Sequence, residues 1–268
     1  MKLYNYPKKS LGQNFLTDNN KIKKIIKIGA LDNNNTVLEI GPGTGNLTKE
    51  IIYAQPKKII VVEKDKNLAT YIKFKYQNAS NLHIINADIL KYLNNKILEK
   101  KIIVFGNLPY NISTQILAKF ILMNRWPPWY DKLILMFQKE VADRIIAKQK
   151  SKNYSRLSVL SNWRLEIKKH FDISKNCFSP RPKINSTILS FKPKINNVFY
   201  IKNPKNLETV TRILFSNPRK MINKNLLKLF KKNNLLVKKL DIDLSLRPKE
   251  LSCDTFYKIT SFYEKLFD

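Results

Sequence analysis

Cysteine and histidine are nearly absent, with two of each in 268 residues. Cys177 and Cys253 form no disulfide framework and no metal-ligand spacing. His83 and His170 stand far from each other and from either cysteine, which argues against a zinc site and leaves both as structural or surface residues. No apolar run approaches the ~20 residues of a membrane span. The opening MKLYNYPKKS lacks the apolar core of a signal peptide. These shortages set aside disulfide-stapled, metal-dependent and membrane-spanning classes and predict a soluble, cytoplasmic protein. Acidic residues are also outnumbered, 20 Asp and Glu against 50 Lys and Arg, for a formal charge of +30. Part of that excess reflects the Lys, Asn and Ile richness that AT-biased codons produce. The remainder predicts a polyanionic partner, nucleic acid ahead of an acidic membrane surface.

What is present alternates. TVLEI (36–40), KIIVVE (58–63), LHIIN (82–86), KIIVF (101–105) and KLILMF (132–137) read as buried strands, near-continuous in apolar residues as parallel strands are. Amphipathic segments lie between them at 46–54, 65–76, 89–98 and 113–122, with Ser113 placed to cap the last. The alternation predicts a doubly wound α/β sheet. RLEIKKHF (164–171) and NSTILSF (185–191) suit an antiparallel edge pair. Beyond KPKINN (192–197) the pattern turns helical, as in LLKLFKKNN and TFYKITSFYEKLF. The expected organisation is an α/β domain over 1–197 and a small helical domain over 198–268, the latter a structural lid or an RNA-docking surface.

In such a sheet, ligands sit at the carboxyl ends of the strands. EIGPGTGNLT (39–48) follows the first strand and holds Gly41, Gly43 and Gly45, three of the six glycines in the chain. Glycine admits close backbone approach and positive φ. Asn46 stands where the last glycine of a dinucleotide fingerprint would fall, and the loop has no Lys or Arg to hold a phosphate. Glu63 ends the second strand, where a carboxylate accepts the two hydroxyls of a ribose. Asp88 follows the third, where one meets an adenine amino group. Taken singly, each fits a turn or cap equally well. In sequence, a Gly-rich backbone and two acids fit an adenosine ligand without phosphate, and S-adenosylmethionine better than NAD.

VFGNLPYNIS (104–113) lies on the same rim. Pro109 fixes φ and biases Leu108 towards extended backbone, so the segment is stiff enough to aim the Asn107 amide and nearby carbonyls. Tyr110 offers a stacking face, worth ~1–3 kcal/mol per base. A corner that accepts from an amine beside a stacking platform suits a nucleobase taken out of its stack.

Asn-Leu-Pro-Tyr is the N6-adenine form of the (Asn/Asp)-Pro-Pro-(aromatic) motif of amino-methyltransferases. With KKSLGQNFLTD (8–18), LEIGPGTGNLT (38–48), GNLPYNIS (106–113) and CFSPRPKINSTI (177–188), the chain resembles the ribosomal RNA adenine dimethyltransferase family, strongly from Lys8 to Phe191 and weakly in NPRKMINKNL (217–226) and RPKELS (247–252). The resemblance implies a Rossmann-like class I methyltransferase domain and S-adenosylmethionine held by Asn14, Leu16, Gly41, Glu63, Asp88 and Asn107. It places the target adenine against Asn107, Leu108, Pro109 and Tyr110, with Phe178 closing from another side. The implied reaction adds two methyl groups to N6 of each of two adjacent adenines near the 3′ end of small-subunit rRNA during ribosome assembly; the sequence itself predicts no metal and a monomer. Gln115 departs from a proline common in relatives, inside a helix and away from these residues. KEVADRIIAKQKSKNYSRLS (139–158) and the C-terminal helices supply cations for RNA. Two alternatives are a large-subunit rRNA methylase of the antibiotic-resistance type and a non-enzymatic RNA-binding assembly factor.

Overall fold

A computed structural model describes residues 7, 12–93, 101–196 and 199–267. Two compact units emerge: one comprises 1–119, 128–142 and 167–193, the other 120–127, 143–166 and 194–268. Two segments from the middle of the chain therefore join the C-terminal residues in the second unit.

The first half of the chain runs β1 (Phe15–Leu16), α1 (Asn19–Gly29), β2 (Thr36–Ile40), α2 (Asn46–Tyr53), β3 (Lys58–Glu63), α3 (Lys66–Lys75), β4 (Leu82–Asn86), α4 (Ile89–Tyr92), β5 (Ile102–Asn107) and α5 (Ser113–Ile121). Then come β6 (Tyr130–Gln138), α6 (Lys139–Ile145), α7 (Arg156–Arg164), β7 (Leu165–Ile173), β8 (Phe178–Ser179) and β9 (Ser186–Pro193). The chain continues with α8 (Pro204–Leu214), α9 (Asn223–Leu229), α10 (Asn234–Lys238) and α11 (Cys253–Phe267). Among the described residues, no helix is long and apolar enough to cross a membrane.

Seven strands form one sheet in the order β4-β3-β2-β5-β6-β9-β7. The first five pair in parallel, and β9 runs antiparallel to β6, Met136 facing Ile188 and Gln138 facing Ser186. The middles of β2, β3 and β5 are mostly apolar, as in buried parallel strands, and Val37, Ile59, Val61 and Phe105 are fully buried. Each such side chain contributes roughly 1.5–3 kcal/mol of transfer free energy. The chain turns back between β2 and β5, since β3 and β4 extend one way and β5 and β6 the other. Ligands of this architecture bind at that reversal.

The five parallel strands fall where the apolar runs place them, and two are longer: β6 spans Tyr130–Gln138 and β5 reaches Asn107, so that residue ends a strand. Of the helical segment expected at 89–98, α4 covers Ile89–Tyr92, and residues 94–100 lie outside the described ones. Ser113, expected as a cap, is the first residue of α5, and its hydroxyl donates to the Tyr110 carbonyl (3.2 Å). Helix α1 went unread, although Asp18 caps it by accepting from Lys21 N and it buries Ile22 and Ile25. A two-residue ribbon, β1 with β8, pairs Phe15 with Ser179 and Leu16 with Phe178.

The second unit is helical. Its core includes Trp163, Leu207, Val210, Leu226, Phe230 and Phe256. Phe215 stacks on Phe256 at 5.2 Å between centroids. Arg164, buried, lies over the Trp163 ring (3.7 Å) and donates to the carbonyls of Ile121 and Met123. A buried guanidinium needs such partners to offset desolvation.

Candidate active site

A cavity of about 160 Å³ opens at the carboxyl ends of β2, β3 and β5. Asn14, Leu16, Gly41, Glu63, Asp88, Asn107, Leu108, Pro109 and Tyr110 all line it. Phe178 does not: it is 5% exposed and packs in the core cluster that holds Leu16 and Ile188.

The Gly-rich loop leaves β2 with Gly41 at φ +65° and no atom within 4 Å of where a Cβ would stand. The backbone is bare there and open to a ligand. At Gly43 (φ +56°) a Cβ would stand 2.5 Å from the Phe15 ring. Glycine at 43 is thus required for the N-terminal segment to lie on the loop. That segment is tied down by four contacts from side chains: Asn46 Nδ2 donates to Leu16 O (2.8 Å), Asn107 Nδ2 to Asn14 O (2.9 Å), Gln13 Nε2 to Asp65 Oδ2 (3.3 Å) and Thr17 Oγ1 to Cys177 O (3.1 Å).

Glu63 is buried at the end of β3. Its Oε1 accepts from Asp65 N (2.8 Å) and its Oε2 from Gly43 N (3.4 Å). Burial pushes its carboxyl above the usual carboxylate range, and those two backbone N–H groups pull the other way. Asp88 caps α4 through Leu90 N (2.9 Å) and pairs with Lys64 Nζ (2.8 Å), and the lysine holds its carboxyl below the usual value. By donating Nδ2 to Asn14 O, the Asn107 amide keeps Oδ1 as an acceptor. Tyr110 reaches Ser186 Oγ at 2.7 Å, and burial raises its phenol.

Glu39 was missed by the sequence reading. It lines the cavity floor at 1% exposure, and neither its Oε2 nor Thr48 Oγ1 has a hydrogen-bond partner. Burial pushes its carboxyl up to about 8, and the nearby Glu63 charge adds to the rise. The signal was a carboxylate inside the otherwise apolar strand VLEI. Asn46, Gln13 and Ser186 were also missed, and their partners lie far off in sequence. Among the described residues, no group of His, Cys, Asp and Glu is arranged to hold a metal ion.

A model of the ribosomal RNA adenine dimethylase family matches residues 5–265. A ribosomal RNA small subunit methyltransferase A from Pelagibacter ubique is 52% identical over 259 residues, covering 97% of both chains. One from a Wolbachia of Drosophila simulans is 39% identical over 266 residues, covering 97% of this chain and 95% of its own. Among solved structures, a dimethyladenosine transferase from Plasmodium falciparum superposes with a TM-score of 0.74 at 27% identity, covering 94% of this chain and 98% of that one. The 23S rRNA methyltransferase ErmE superposes at 0.66 and 20% identity, covering 93% and 99%, a likeness of fold.

Proposed function

Because the chain belongs to the ribosomal RNA adenine dimethylase family, we propose that it transfers methyl groups from S-adenosylmethionine to N6 of adenine in small-subunit ribosomal RNA. Two adjacent adenines near the 3′ end each receive two methyl groups during subunit assembly. The enzyme works as a monomer in the cytoplasm. One observation carries this reading: Asn107, Pro109 and Tyr110 stand on the rim of the cavity that Gly41, Glu63 and Asp88 line.

The cavity fits the cofactor. Gly41 leaves room for close backbone approach, Glu63 keeps lone pairs for two hydroxyls, and Asp88 stands one strand further for an amine. Glu39 adds a buried carboxyl whose Oε2 has no hydrogen-bond partner among the described residues. Asn14 and Leu16, on the tied-down N-terminal segment, cover it. When bound, S-adenosylmethionine supplies a methyl group already activated on a sulfonium.

The protein's task is placement. Asn107 Oδ1, turned by the bond to Asn14, accepts from an N6–H, as does a carbonyl of Leu108 or Pro109. Those acceptors draw the nitrogen lone pair out of conjugation with the ring. The ring of Tyr110 stacks on the base, and Pro109 holds both groups at fixed spacing. Phe178 backs Leu16 from the core. Tyr110 stays protonated, since burial raises its phenol, so the proton leaving the methylated nitrogen passes to water. The first methylation leaves the base with one N–H to offer in the second transfer, when Asn107 with one neighbouring carbonyl must accommodate the methyl already added. We assign the cationic helical unit to docking of the RNA.

The test uses tritiated S-adenosylmethionine with undermethylated small subunits and, separately, large-subunit RNA. Label in N6,N6-dimethyladenosine from the small subunit alone is expected. Label from large-subunit RNA moves the enzyme to the resistance-type reaction. Cofactor binding without label in either RNA overturns the enzymatic reading.

A further inference from the structure

Ser186 is completely buried and does not line the cavity, yet its hydroxyl lies 2.7 Å from the Tyr110 hydroxyl. Neither hydroxyl has another partner among the described residues. Ser186 opens β9, opposite Gln138 at the end of β6. Its neighbours on both sides are fixed: Lys139 N donates to Asn185 O (3.0 Å) and Thr187 Oγ1 donates to Asp172 Oδ1 (2.8 Å). The Ser186 Oγ is therefore anchored by strand pairing rather than by a loop.

Tyr110 is the opposite case. It sits in the turn after β5, where Ile112 N donates to Pro109 O (3.1 Å) and Ser113 Oγ to Tyr110 O (3.2 Å). Those bonds hold its backbone, but the ring retains two side-chain rotations. The Ser186 contact fixes where the far end of the ring stands, and because a phenol hydroxyl bonds in the plane of its ring, the direction of that contact biases the ring plane as well. We propose that Ser186 is a positioning residue, which sets the plane of the Tyr110 ring before any base arrives and so aims N6 of the target adenine. The inference rests on the reading of Tyr110 as the stacking platform. An unmethylated adenine offers two N–H groups to be gripped, whereas a monomethylated one offers a single N–H. Orientation in the second transfer therefore depends more on the ring plane, and loss of the Ser186 contact should hinder the second methylation more than the first.

The experiment compares Ser186→Ala, Tyr110→Phe, the double variant and Tyr110→Ala on undermethylated small subunits. It follows kcat, KM for subunits, the ratio of monomethyl- to dimethyladenosine, and the thermal midpoint. Ser186→Ala and Tyr110→Phe should each lower kcat about three- to tenfold, with KM unchanged and monomethyl product enriched. The double variant should be no worse than either single one, because all three remove one bond. Wild-type kcat and product ratio in both single variants, or losses that multiply in the double, overturn the inference. Should Ser186→Ala fold poorly, Tyr110→Phe leaves β9 untouched and decides alone. If Tyr110→Ala also transfers at the wild-type rate, the platform reading falls. If only Tyr110→Ala is impaired, the platform stands and the role of Ser186 does not.

Discussion

On the β2, β3 and β4 side of the cavity the polar groups are acids, and main-chain N–H groups place them: Gly43 and Asp65 for Glu63, Leu90 for Asp88. On the β5, β6 and β9 side they are a neutral amide, a phenol and a serine hydroxyl, held by Asn14 O and by one another. The first side keeps its shape as long as the backbone does, and its charges respond to pH. The second carries no charge at neutral pH and depends on individual side-chain contacts. On the function proposed above, the first side binds a ligand that stays the same and the second aims a group that changes between its two methylations.

The comparison breaks most sharply at Asn107. Asn107→Ala should lower the single-turnover methylation rate by about 10²–10³-fold, the scale for losing one pre-set polar group at a reacting centre. A near-wild-type rate in a folded variant would remove Asn107 from the chemistry. On the acidic side, Glu39 is the place to press. Its carboxyl is raised from 4.5 to about 8, so the native state holds the proton more tightly than the unfolded state does. Stability then falls as pH rises through that window and levels off above it. At ~1.4 kcal/mol per pH unit, Glu39→Gln should gain a few kcal/mol over wild type by pH 8 and almost nothing at pH 4.5. Thermal midpoints from pH 5 to 9 measure this, and a gap independent of pH contradicts it.

Gly43→Ala tests whether the backbone sets the acidic side. A left-handed alanine costs ~1–2 kcal/mol, and its Cβ would displace Phe15 together with Asn14 and Leu16. Calorimetric titration should find cofactor affinity about tenfold weaker, and unchanged affinity would detach the N-terminal segment from binding. Lys64→Ala should do least. The lysine is largely exposed, with 57% of its side chain accessible, and such pairs contribute about 0.2–1 kcal/mol. Its removal should cost less than that upper figure at low salt and nothing measurable in high salt. A larger loss would make Lys64 part of the binding apparatus.

Much of this was legible because the relevant residues are out of character for their surroundings. Parallel strands buried on both faces show as near-continuous apolar runs, which is why β2, β3, β5 and β6 could be placed, and LHIIN marks the half-buried edge strand β4. Asn107 and Pro109 stand out at the end of such a run. Glu39 was equally odd, but its meaning depends on depth, since full burial raises its carboxyl well above an ordinary carboxylate and the strand pattern does not show that burial. Ser186 had no signal at all, because its partner lies 76 residues away and serine at a strand start is unremarkable. Phe178 shows the converse limit. An aromatic in a proline-rich turn can line a cavity or enter the core, and here the core takes it. The ribbon β1–β8 is too short for propensity to announce it.

That ribbon has a consequence for the order in which the molecule is assembled. Thr17 is tied to Cys177 across 160 residues, and the segment carrying Asn14 and Leu16 is fastened at that point. Closing so long a loop is entropically costly and gains nothing until both strands exist. A nascent chain that has emerged only as far as β6 already owns the glycine loop, the Asn-Leu-Pro-Tyr corner and the ties from Asn46, Asp65 and Asn107, but Phe15 and Leu16 have no strand to pair with. The last tie on that segment therefore arrives late in synthesis, with residues 177–179, and truncations just before them should leave it held by its other side-chain contacts alone.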